Sequence, residues 1–112
     1  MNTKENYNEC LANLVGKWTT EDDKYNYIFQ IFPYTEDGAE TDMYQLHFIE
    51  NSTGKLMFGF YKISIENGSC YIDFLNTKHK VLSIERSIKI PTMKLEDKHG
   101  NITIYQGRES VF

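Results

Sequence analysis

Residues 61–74, YKISIENGSCYIDF, decide the fold. Asn67-Gly68 interrupts two runs of alternating apolar residues, and this dipeptide is the strongest short hairpin signal in a protein sequence. A two-residue turn there sets Ile65 opposite Cys70, Ile63 opposite Ile72 and Tyr61 opposite Phe74. The turn NSTG, residues 51–54, extends the pattern upstream, with Phe48 opposite Met57, Leu46 opposite Gly59 and Tyr44 opposite Tyr61. Two independent turns therefore put Tyr61 and its neighbours on one apolar face, and a slip of one residue would turn that face outward. Closing the next hairpin over NTKHK, residues 76–80, sets Phe74 opposite Leu82, Ile72 opposite Ile84 and Cys70 opposite Arg86. The turn KHGN, residues 98–101, sets Leu95 opposite Ile104 and Met93 opposite Gln106.

The remaining sequence fits the same plan. Strands are predicted over 14–20, 24–32, 42–50, 55–66, 69–75, 81–90, 92–97 and 102–108, separated by short polar connections. Residues 3–13 carry Tyr7, Cys10 and Leu11 at helical spacing, continued by Leu14, which predicts a short helix. Eight short strands behind one helix point to an all-β fold. It is an up-and-down antiparallel barrel, closed or left open, spanning residues 1–112 as a single domain. The predicted interior includes Ile31, Ile88, Ile102 and Ile104. Aromatic residues make up 14% of the chain, which favours strands over helices.

Charge narrows the function. A net charge of −4 argues against nucleic acid as the main partner. No apolar run is long enough to insert in a membrane as a helix. The polar N-terminus has no signal peptide, so the expectation is a cytoplasmic protein, or a periplasmic or surface protein if an export signal was removed. Cys10 and Cys70 have no metal or redox spacing and are either free thiols or one bridge. His47 falls on an outward strand position and His79 and His99 on turns. No zinc spacing, nucleophile elbow, phosphate loop or dinucleotide fingerprint is present, so no catalytic residue, metal ligand or cofactor site is assigned.

Two features depart from a plain barrel. Tyr25, Tyr27, Tyr44 and Tyr61 point inward, where a purely structural core more often uses Phe and Leu. With Phe74 and the inward Arg86 they form a candidate lining for a small apolar or amphipathic ligand. Arg86 either meets a ligand carboxylate or reaches out of a barrel end. On the opposite face, Ile49, Leu56, Phe58 and Phe60 form an apolar stripe where water is expected. Such stripes mark interaction sites, most simply a homodimer.

Gly16-Lys17-Trp18 opens the first strand after a short helix, and Arg108 falls on the last strand at interior parity. This pairing resembles the lipocalin-like, or calycin, barrels and is most similar to the small lipocalin-like domains of bacteria. The resemblance implies that Trp18 plugs the closed end, that Arg108 packs across its ring, and that the interior carries a ligand. A non-enzymatic binding protein for a small ligand is one reading of the chain. The alternative is a protein-interaction module with a filled barrel, a homodimer, adaptor or immunity-type protein acting through the outer stripe.

Overall fold

The computed structural model describes residues 3–107 of the 112. Asn67 and Gly68 take φ of 53° and 79°, the left-handed values a two-residue turn requires. The turn joins β4 (Lys55–Glu66) to β5 (Ser69–Phe74). The expected register holds, with Tyr61 opposite Phe74, Ile63 opposite Ile72 and Ile65 opposite Cys70. The register set by residues 51–54 also holds between β3 (Ala39–Glu50) and β4. Upstream lie α1 (Thr3–Leu14), β1 (Gly16–Thr20) and β2 (Tyr25–Glu36). Downstream lie β6 (Thr77–Glu85), β7 (Thr92–Glu96) and β8 (Ile102–Gly107). Each strand pairs antiparallel with the next, and β1 pairs with β8 through Trp18 and Gly107, so the sheet is a closed barrel.

The structure corrects the sequence reading at two turns and at one bulge. The chain reverses at Leu75 and Asn76, with φ of 53° and 61°, rather than over residues 76–80. Phe74 therefore faces Thr77 and Ile72 faces His79. His79 enters the barrel, and Leu82 is exposed. An irregularity between Val81 and Ser83 then returns Ile84 to the interior. In the last hairpin the Asp97 carboxylate accepts the backbone N–H groups of His99 at 2.8 Å and Asn101 at 3.0 Å. That closes the turn one residue earlier, so Leu95 faces Thr103 and Met93 faces Tyr105. Tyr105 is buried and Ile102 exposed, the face swap that a one-residue slip dictates. A bulge between Phe29 and Pro33 leaves Ile31 exposed, and Ile88 is exposed beyond the end of β6.

The core runs the length of the barrel. Trp18, Phe29, Leu46, Tyr61, Ile72, Met93 and Leu95 are all but removed from water. Helix α1 packs against β4, β5 and β6 at one end, and Cys10 is joined to Cys70 by a disulfide. The open question about the thiols is thereby settled as a bridge, 60 residues apart in sequence.

Candidate functional site

The interior is the first place to look for a ligand. Tyr27 sits at its centre, with ring centroids 5.7 Å from Phe74, 5.8 Å from Tyr105, 5.9 Å from Phe48 and 6.3 Å from Phe29. Phe29 in turn meets Tyr61 at 5.0 Å edge to face. These are the spacings of directly packed rings. Three tyrosine hydroxyls are also engaged. Tyr61 donates to the Gln30 carbonyl, and Tyr7 of the helix donates to the Tyr44 hydroxyl at 3.1 Å. Burial pushes the phenols of Tyr7, Tyr61 and Tyr105 well above their ordinary range, so all three stay neutral. Tyr25 lies half-buried beside Tyr27 at 6.2 Å. The proposed ligand-lining residues Tyr27, Tyr44, Tyr61 and Phe74 thus pack on one another and on their neighbours.

Arg86 is committed elsewhere. Its guanidinium carbon lies 4.3 Å from the centre of the Trp18 ring. Its Nε donates to the Asn13 carbonyl at 2.7 Å and its Nη2 to the Val15 carbonyl at 2.8 Å. Those carbonyls belong to the last turn of α1 and the residue after it, where helix carbonyls lack intrahelical donors. Trp18 Nε1 takes the Leu14 carbonyl at 2.8 Å. Arg86, expected either to meet a ligand carboxylate or to reach out of a barrel end, gives its Nε and Nη2 donors to the helix end. The arginine described over the Trp18 ring is Arg86; Arg108, to which the resemblance gave that place, lies outside the described residues. Gly16 is required here because its φ is 132° and a Cβ would lie 3.1 Å from Arg86 Nη2.

His79 is the residue that sequence reasoning missed. Its ring stacks on Phe74 at 4.4 Å, and its Nδ1 is buried with no hydrogen-bond partner. Desolvation lowers its pKa, although backbone hydrogen bonding with Ile72 and Thr77 and then the Asp97 and Asp73 carboxylates pull the other way. Only the two-residue turn at Leu75-Asn76 sets this parity, and Leu is not a turn residue. Among the described residues, no group of three or more His, Cys, Asp or Glu side chains could hold a metal ion.

The outer face of β2, β3 and β4 is the second place. Leu56 is 48% exposed, Phe58 69% and Phe60 44%. Ile49, opposite Leu56, is half-buried. The His47 ring meets Phe58 at 4.8 Å and Tyr34 meets Phe60 at 4.7 Å. Ile31 and Phe32 of β2 add further exposed apolar surface, so five of the ten exposed large hydrophobic residues lie on these three strands. A shallow depression of about 210 Å³ lies among Tyr34, His47, Phe58 and Phe60. The helix packs at the barrel end and leaves this stripe uncovered. A third, shallow groove of about 240 Å³ lies over the disulfide between α1 and the barrel, lined by Glu9, Asn13, Val81 and Ile84 among others.

Compared with known proteins, the chain matches no family model, no curated protein and no solved structure. The class its own geometry defines is a closed, antiparallel, eight-stranded barrel with one short N-terminal helix.

Proposed function

We propose that this chain is a non-enzymatic protein-interaction module that associates with a second copy of itself through the outer face of β2–β4. The observation that carries the reading is the exposed row Leu56, Phe58 and Phe60, flanked by the rings of Tyr34 and His47. Removing such a row from water is worth roughly 25 cal/mol per Å² of apolar area, and a surface that keeps it exposed has a use for it. The closely packed inward rings favour this reading over that of a carrier, and the hydroxyls of Tyr44 and Tyr61 already bond within the chain. Arg86 stacked on Trp18, just past the end of β6, supports a lipocalin-like architecture. The Cys10–Cys70 bridge supports a periplasmic or surface setting over a cytoplasmic one, since disulfides persist in oxidising compartments.

Sedimentation equilibrium over a wide concentration range tests the proposal. The unaltered protein is expected to dimerise, and Phe58→Glu to remain a monomer with a thermal midpoint near that of the parent, because an exposed substitution shifts stability by only about 0.5 kcal/mol. A parent protein that stays monomeric at every concentration overturns it.

A further inference from the structure

Half of strand β4 has a neighbour on one side only. β3 pairs with β4 from Lys55 to Lys62, whereas β5 pairs with it only from Tyr61 to Glu66. At Leu75 and Asn76 the chain turns away into β6, and among the described residues no strand lies beside Lys55–Phe60 on that side. The backbone groups facing the open side follow from the neighbouring turn. In a two-residue hairpin the flanking residues exchange both hydrogen bonds, and the direction of bonding alternates along the strand. Glu66 and Ser69 flank Asn67-Gly68. Even-numbered residues of β4 therefore aim N–H and C=O toward β5, and beyond its end Leu56, Phe58 and Phe60 aim theirs at the open side. Met57 and Gly59 bond to β3.

An exposed strand edge is normally blunted by a charge, a proline or a bulge. Leu56–Phe60 contains no charge and no proline, and its register with β3 is unbroken. The three residues with free backbone groups are also the three with exposed apolar side chains.

We infer that this edge pairs antiparallel with the same edge of a second copy, with Phe58 opposite Phe58 and Leu56 opposite Phe60 across a two-fold axis. The inference rests on the self-association proposed above and supplies its geometry. A two-fold interface is self-complementary: if one residue meets another, the reverse contact also forms. The register centred on Phe58 meets that condition and sets every free donor and acceptor of Leu56, Phe58 and Phe60 against a free one. Shifting the centre to Met57 or Gly59 leaves one of the three without a strand partner. The centred register also places the two apolar rows side by side on one face. Lys62 already pairs with Asp73 of β5, so the second strand ends opposite Phe60.

Amide hydrogen exchange by NMR, on the protein alone at low and high concentration with sedimentation run in parallel, tests the pairing. As the dimer forms, exchange at Leu56, Phe58 and Phe60 is expected to slow at least about tenfold, while Met57 and Gly59, already bonded to β3, change little. A dimer in which the three amides exchange as fast as in the monomer overturns edge pairing and leaves a face-to-face dimer standing. A protein that is monomeric throughout overturns both.

Discussion

The guanidinium of Arg86 sits 4.3 Å above the Trp18 ring while two of its nitrogens hold the carbonyls of Asn13 and Val15. One side chain thus seals the barrel end and ties down the chain leaving the helix. Arg86→Ala removes a cation–π contact and two charge-assisted hydrogen bonds, and is expected to cost about 2–4 kcal/mol by urea denaturation. Arg86→Lys keeps a charge over the ring but has no fork to reach both carbonyls, so its loss should be intermediate. A neutral result for Arg86→Ala would mean that the contact is solvent-compensated.

Gly107 closes the barrel opposite Trp18, and its N–H donates to the Pro91 carbonyl at 2.7 Å. A Cβ there would lie 2.8 Å from Pro91 Cβ and 3.2 Å from Trp18 Cζ3. Neither neighbour is the free end of a flexible chain. Gly107→Ala is expected to lose about 1–3 kcal/mol by overpacking, with a changed Trp18 fluorescence spectrum, since Trp18 is the sole tryptophan. Gly59→Ala, which likewise has no positive φ and whose Cβ would make only an ordinary 3.8 Å contact with Phe48 Cε1, serves as the control.

The disulfide fastens the helix to β5 across 60 residues. The chain-entropy model assigns a closed loop of this size about 4 kcal/mol. Reduction, or the paired change Cys10→Ser with Cys70→Ser, should lower the thermal midpoint by roughly 15–30 °C, at about 4–8 °C per kcal/mol lost for a domain this small. The reduced protein should also lose its association behaviour last, because the β3–β4 face lies away from the bridge. An equal midpoint with and without reductant would count against a stabilising bridge.

How far the sequence could be read depended on turn chemistry. Asn67-Gly68 was legible because a two-residue turn needs positive φ at both positions and this dipeptide supplies it cheaply. From that turn and residues 51–54 the faces of β3, β4 and β5 followed, and with them the outer stripe at Ile49, Leu56, Phe58 and Phe60. The turn at Leu75-Asn76 was not legible, because a leucine at φ 53° is held by the surrounding sheet and not by its own preference. The error moved His79 from a turn to the interior. The place of Arg86 over Trp18 was not legible, because interior parity does not say where the helix end docks, and two of its donors are held by that helix end. The pairing of Cys10 with Cys70 depended on where α1 docks, which strand alternation does not specify.

His79 makes the fold sensitive to acid. Its ring lies on Phe74 with Nδ1 buried and unpartnered, and desolvation sets its pKa below the ordinary 6.5 despite the favourable pull of Asp97 and Asp73. In the window between 6.5 and that lower value the unfolded chain binds a proton that the folded chain refuses. Stability therefore is full above pH 6.5 and declines as pH falls toward the folded-state pKa, by at most ~1.4 kcal/mol per pH unit for one group. Replacing the ring by an apolar one, His79→Phe, removes both the titration and the orphaned nitrogen. The expected outcome is a denaturation midpoint that drops between pH 7.5 and pH 5.5 in the parent and drops less in the variant. The exposed carboxylates Asp22, Asp42, Glu66 and Asp97, whose pKa values are lowered by hydrogen bonds, act only at more acidic pH and are common to both proteins. Equal slopes in the two proteins over this window would assign the acid sensitivity to groups other than His79.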